Sequence, residues 1–156
     1  MVILVGHDGS DFSQAALRWA LTQASISGSP VTLARAWTIR SAPTPATFER
    51  GFVPPAAEFE KAVVDALAAD TASVRAEFPD VDVTLRAVRG PAVNALLSAA
   101  ADADMLVLGP RGIGGFKGLL LGSVSEQLIQ HAPCTTVVVR EKSKPAASAD
   151  RTAPLD

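Results

Sequence analysis

The stretch from Gly109 to Ser125 places glycine where a strand would leave off and again where a helix would begin, at Gly109, Gly112 and Gly122, followed by hydroxyls at Ser123 and Ser125. A side chain at either place would hold a phosphate away from the backbone. Glycine also permits positive φ, so successive N–H groups can turn inward as an anion-binding nest, and the following helix adds the partial positive charge of its N-terminus. The hydroxyls of Ser123 and Ser125 can add direct hydrogen bonds. Arg111 is the cation nearest these glycines in sequence and can make charge-assisted bonds to phosphate. Each residue also has a plain structural reading: a flexible loop for the glycines, a solvated charge for Arg111, and a capping box for Ser123 with Glu126 three residues on.

Other nucleotide chemistries leave no trace. No Gly-x4-Gly-Lys-Ser/Thr run occurs, since Lys117 is followed by Gly118, and Gly6 and Gly9 have the wrong spacing for a dinucleotide fingerprint. His7 and His131 stand apart from any cysteine or paired carboxylates, so the only metal expected is Mg2+ carried by a nucleotide. Cys134 reads as a packing residue, because no basic cluster or helix start beside it would lower its pKa. Trp19 reads as helix packing and Trp37 as a border of the ligand. No residue is placed as a general base to activate water, so fast turnover is not expected and at most slow nucleotide hydrolysis is.

The elements that would position this loop alternate between strand and helix. Val2 to Gly6 and Met105 to Gly109 are continuous apolar runs ending in glycine, the pattern of strands buried on both faces of a parallel sheet. Val31 to Trp37 and the β-branched run Thr135 to Arg140 supply two more strands. The alternation in Val81 to Val88 predicts a strand with one more exposed face, at an edge. Helical spacing joins Leu17, Ala20, Leu21 and Ala24, from an N-cap at Ser10 to a stop at Gly28. It recurs over Phe59 to Val74, where Asp70 interrupts the apolar stripe, and over Val93 to Ala100, with Pro91 at the first helical position. A last helix spans about Ser123 to His131. Thr38 to Pro55, with four prolines and no period, reads as a surface loop of the kind that covers a ligand or partner.

Such alternation implies right-handed crossovers and a doubly wound α/β fold, a mainly parallel five-stranded sheet with helices on both faces. In strand order 3-2-1-4-5 the first and fourth strands are neighbours at the switch point, and ligands bind beyond the strand ends there. Two loops leave that point, His7 to Ser10 and Pro110 to Gly122. Asp8 in the first is either a turn residue accepting nearby amides or a ligand contact.

Composition bounds the partners. The chain has 156 residues, 19% of them charged, with a net charge of -2, which leaves no basic face for nucleic acid. A lone cysteine, no leader pattern after Met1 and no apolar run long enough for a bilayer predict a cytoplasmic protein without a membrane span. Residues 1–140 are expected to form one domain and 141–156, rich in Lys, Ser, Pro, Ala and Asp, a disordered tail.

The spacing Gly-x2-Gly-x9-Gly-Ser at Gly109, Gly112, Gly122 and Ser123, with Gly114 to Leu121, His131 to Cys134 and the opening Val5 to Ser10, resembles the nucleotide-binding signature of the universal stress protein family. The resemblance covers roughly residues 1–140 and implies an adenine nucleotide alpha hydrolase-like fold holding ATP. It places Gly6, His7 and Asp8 after the first strand, with Asp8 near the adenine and ribose, and Ala36 in the adenine pocket. By the same resemblance Leu108 and Gly109 lie beside the ribose and first phosphates, with Arg111, Gly112, Gly122, Ser123, Val124 and Ser125 around the phosphate chain. Two positions depart from the family. Pro110 replaces a small hydrogen-bonding residue and removes a backbone donor, and Thr135 stands where proline often follows the cysteine, on the edge the family uses for dimers.

Three functions fit these features. The first is a nucleotide-dependent stress-response regulator acting through the 38–55 loop or a protein partner. The second is the same fold without nucleotide, as an interaction module. The third, an adenylating enzyme, usually carries Ser-Gly-Gly-x-Asp-Ser after the first strand, where this chain has His7 to Ser13 without paired glycines. A two-fold homodimer is expected through the exposed edge at Thr135 to Arg140, where Val137, Val138 and Val139 invite pairing.

Overall fold

The structure is a computed structural model that describes residues 1–113, 118 and 120–141. The segment Gly114 to Lys117, Leu119 and the expected tail from Lys142 onward lie outside the described residues. Its elements in chain order are β1 (Ile3–Gly6), α1 (Asp11–Ser27), β2 (Val31–Trp37), α2 (Ala56–Ala76), β3 (Val83–Arg89), α3 (Ala92–Ala100), β4 (Met105–Leu108), α4 (Ser123–His131) and β5 (Thr135–Val138). The strands form one sheet in the order β3-β2-β1-β4-β5, and each pairing is parallel. This is the doubly wound α/β architecture that the alternating pattern predicts.

The central strands read as unbroken apolar runs because both their faces are covered. On one face Ile3, Val5, Val31, Leu33 and Val107 pack with Leu17 and Leu21 of α1 and Leu67 of α2. On the other, Leu4, Ala34, Leu106 and Leu108 pack with Leu96 of α3 and Leu128 of α4. β3 lies at the edge and alternates half-buried with exposed residues along most of its length, as its sequence does. Residues 38–55 form neither helix nor named strand and hold one isolated bridge, Glu49 to Phe52.

Helix ends follow local chemistry with two corrections. Ser10 caps α1 by accepting the Ser13 amide, and Gly28 closes it at φ 66°. Pro91 is the N-cap of α3 rather than its first helical residue: its ψ of 142° is extended, and the helix begins at Ala92. The capping box expected at Ser123 does not form. Gly122, extended at φ -79° and ψ 160°, takes the cap position, which leaves Ser123 inside the first turn, where its hydroxyl makes no cap bond.

Candidate functional site

Where β1 and β4 end side by side, their loops and the first turn of α4 enclose a cavity of about 490 Å³. The positions that the family resemblance placed around a nucleotide line it: Gly6, His7, Asp8, Ala36, Leu108, Gly109, Arg111, Gly112, Gly122, Ser123, Val124 and Ser125. Ser13, Ala34, Ala92, Leu96 and Ile113 line it too and were missed. The signal for two of them was present, since Ala34 and Ala36 share a face of β2 at a spacing of two, and small side chains on one face leave room above a sheet. Trp37 falls on the opposite face. It packs on Phe59 and Val63 of α2, with ring centroids 6.4 Å apart from Phe59, and does not line the cavity.

The glycines matter here for a different reason than conformational freedom. None of Gly109, Gly112 and Gly122 has positive φ. What two of them supply is proximity. A Cβ on Gly109 would stand 2.8 Å from the Phe12 carbonyl oxygen, against the backbone of α1, and a Cβ on Gly112 would stand 2.4 Å from Oδ2 of Asp8. At Gly122 a Cβ would meet nothing nearer than 3.5 Å, so bareness there serves the cavity rather than the packing.

Hydrogen bonds hold the loop in shape. The Gly122 amide donates to the Pro110 carbonyl at 2.7 Å and closes the loop at its base. The Ser125 hydroxyl, expected to reach a ligand, donates instead to the Gly109 carbonyl at 2.9 Å and ties α4 to the end of β4. Arg111 lies over the Phe12 ring with its guanidinium carbon 4.7 Å from the centroid, a cation–π contact that leaves the group at the cavity wall.

Asp8 joins the two loops. Its Oδ1 accepts the Ser10 amide at 3.0 Å and the Ser10 hydroxyl at 2.5 Å, and its Oδ2 accepts the Ile113 amide at 3.1 Å. Burial between the loops pushes the carboxyl up, but the bonds from Ser10, Ile113 and Ser13 outweigh it and hold the group below its ordinary value of 3.8. The turn reading of this residue is realised in its contacts, and the residue also lines the cavity.

His7 is buried, at 2% exposure, and its Nδ1 faces the Gly9 amide at 3.2 Å and an Arg35 guanidinium nitrogen at 2.9 Å. Burial first, and then the positive charge of Arg35, push its pKa down, while Gln14, Asp8 and Asp70 oppose the shift. With two donors at Nδ1, the ring is neutral and carries its proton on Nε2. Arg35 also donates to the His7 carbonyl at 3.2 Å and pairs with Asp70 of α2 at 2.8 Å. The Asp70 that interrupts the apolar stripe of α2 thus has a partner on β2. Cys134 packs under α3 and α4, and burial pushes its thiol up, which fits a packing role.

The cavity suits an adenine nucleotide. Ala34, Ala36, Leu96 and Leu108 offer an apolar wall for a flat base, and the bare backbone at Gly109, Gly112 and Gly122 leaves space that side chains would fill. Among the described residues no three His, Cys, Asp or Glu side chains group as a metal site.

A model of the universal stress protein family matches residues 1–140. The chain belongs to that family. A universal stress protein of Mycobacterium tuberculosis strain H37Rv is 35% identical over 147 residues, which covers 90% of this chain and 48% of that protein. A universal stress protein of Mycolicibacterium smegmatis is 33% identical over 144 residues, 90% of this chain and 46% of the relative. This universal stress protein chain thus spans about half the length of the curated relatives it matches. Among solved structures, a universal stress protein in complex with cAMP superposes with a TM-score of 0.65 at 26% identity, covering 90% of this chain and 97% of that one. Among the described residues no helix is long and apolar enough to cross a membrane.

Proposed function

We propose that this universal stress protein binds an adenine nucleotide, ATP with its Mg2+, between β1, β4 and α4, and works in the cytoplasm as a nucleotide-dependent regulator of a stress response. The observation that carries the reading is the convergence of a small-residue apolar wall and a bare glycine backbone on one cavity at the switch point of the sheet. The base lies on Ala34 and Ala36, the ribose beside Leu108 and Gly109, and the phosphates toward Arg111, Gly112 and the first turn of α4. Ser123 and Val124 present amides that lack partners inside the helix. Support from outside the chain comes from the cAMP complex of a structurally similar relative.

Regulation rather than dedicated catalysis is supported by the carboxylate that lines the cavity. Asp8 is held below its ordinary pKa and engaged by three donor groups, which makes it a poor base for activating water. Occupancy is read out through the 38–55 loop or a protein partner, and the protein pairs with a second copy along β5. A second reading, an interaction module without nucleotide, draws on Pro110, which lacks an N–H at the entrance of the loop.

Mass spectrometry of small molecules released from freshly purified protein tests the main reading, with Gly122→Val as comparison. The expected result is an adenine nucleotide in the wild type and its loss in a folded variant, because Gly122 has room for a side chain that would project into the cavity. ATP at 100 times its dissociation constant should also stabilise the fold by about 2.7 kcal/mol. No released nucleotide and no thermal shift with millimolar ATP would leave the interaction module as the reading.

A further inference from the structure

We propose that Arg35 is a positioning residue of the nucleotide site: its guanidinium fixes the turn from His7 to Ser10 from the far face of the sheet and is itself aimed by Asp70 of α2. This rests on the adenine-nucleotide reading and adds to it two residues that lie outside the cavity. Arg35 stands on β2 between Ala34 and Ala36, which line the cavity, and alternation along the strand turns it the other way, toward α2. It acts on the site only through the turn it holds.

The guanidinium serves three acceptors at once. Its Nε donates to the His7 carbonyl at 3.2 Å, and its Nη2 meets His7 Nδ1 at 2.9 Å and Asp70 Oδ2 at 2.8 Å. Backbone and ring of His7 are thereby held together. Nδ1 also takes the Gly9 amide at 3.2 Å, and Gly9, at φ 89°, lies against the ion pair: a Cβ there would stand 3.4 Å from Asp70 Oδ2 and 3.6 Å from Arg35 Nη2. Asp8, between the two residues so fixed, lines the cavity with His7 and carries the contacts on to the Ile113 amide of the glycine loop. On α2 the Asp70 carbonyl accepts the Gln14 side-chain amide, so the carboxylate that aims Arg35 stands on backbone tied to α1. Only a planar fork of N–H groups can reach all three acceptors; a lysine ammonium carries the same charge on a flexible stem without that geometry.

Calorimetry with adenosine, AMP and Mg-ATP on the wild type, Arg35→Lys, Asp70→Asn and Asp70→Ala tests the assignment. Arg35→Lys should weaken all three ligands by one common factor, roughly tenfold, as when the competent turn falls to about a tenth of the population. The factor is common because the turn borders the nucleoside that the three share. Asp70→Asn keeps one acceptor for Nη2 and should stay within about threefold of wild type, whereas Asp70→Ala should show most of the loss. Affinities kept in Arg35→Lys would mean that charge alone suffices, and a loss graded by phosphate number would place the effect on the glycine loop; either overturns the proposal, as does wild-type affinity in Asp70→Ala. A wild type that binds none of the three ligands defeats the nucleotide reading and this proposal with it, while variants that match a binding wild type defeat this proposal alone. Hydrogen exchange without ligand separates positioning from general support: in Arg35→Lys the Gly9 and Ser10 amides should exchange faster while those of Leu4 and Leu106 keep their protection. Faster exchange throughout the sheet, or none at the turn, overturns the proposal.

Discussion

Gly109, at the end of β4, lies against Phe12 at the start of α1 so closely that a single added carbon would stand 2.8 Å from both the Cβ and the carbonyl oxygen of Phe12. Backbone cannot yield as a flexible side chain can. Gly109→Ala is therefore expected to force β4 and α1 apart and to destabilise the protein by about 1–3 kcal/mol, the usual cost of overpacking. Gly122→Ala, where the nearest atom is 3.5 Å away, should stay within about 1 kcal/mol of wild type. Urea denaturation of the two variants checks the contrast, and equal losses would refute the steric distinction.

Gly112 gives an intermediate case. An added Cβ would meet the Asp8 carboxylate at 2.4 Å, and that carboxylate ends a side chain that can turn. Gly112→Ala should then leave the global stability nearly unchanged but break the bond from Ile113 to Asp8. The expected signature is faster hydrogen exchange at the Ile113 amide with an unaltered unfolding midpoint.

These distinctions show where the sequence was readable. The burial of the central strands and the edge place of β3 followed from patterns that are local, apolar runs and alternation, whereas the order 3-2-1-4-5 was taken from the doubly wound fold class. The glycine spacing was equally local, and its residues do line one cavity. What could not be read was which remote atom each residue would meet. Phe12 explains Gly109, and Asp8 explains Gly112, but neither pairing leaves a mark on the spacing. Trp37 shows the same limit, because alternation along a buried strand says which residues share a face without saying which face bears the ligand. Ser123 looked like a cap because serine and glutamate stood three apart, yet the extended backbone of Gly122 took that place.

The pair of Arg35 and Asp70 should contribute to stability in a measurable way. The Arg35 side chain is only 14% exposed, so removing its partner leaves a charge with reduced access to water beside His7. Asp70→Ala is expected to cost about 1–2 kcal/mol, less than for a fully buried pair because Asp70 itself is 43% exposed. A double-mutant cycle with Arg35→Met should return a coupling of comparable size. Additive effects would mean that the pair contributes nothing of its own.

β5 closes one end of the sheet, and the Val139 amide just beyond it donates inward to Leu108 of β4. Amides alternate in direction along a strand, so that of Val138 faces outward, toward any second copy. Light scattering at micromolar concentration is expected to give a dimer. Val138→Pro should yield a folded monomer, since proline at an outward position of an edge strand removes only the bond across the interface. A wild-type monomer, or an undisturbed dimer in the variant, would rule out pairing through this edge.

His7 predicts how stability depends on pH. Its folded pKa is pushed below the ordinary 6.5 by burial and by Arg35, so the unfolded chain binds a proton more readily than the folded one. The sign follows from linkage: stability is full above about 6.5 and falls as pH drops from there through the lowered folded value. The depressed Asp8 acts further down the scale in the same direction, losing its hydrogen bonds as the pH falls below 3.8. His7→Gln, which cannot titrate, should therefore flatten the stability curve between about pH 7 and 5 relative to wild type while leaving the loss at lower pH in place. Chemical denaturation across that range makes the comparison. A variant whose curve runs parallel to the wild type between those values would show that the imidazole is not held neutral by its surroundings.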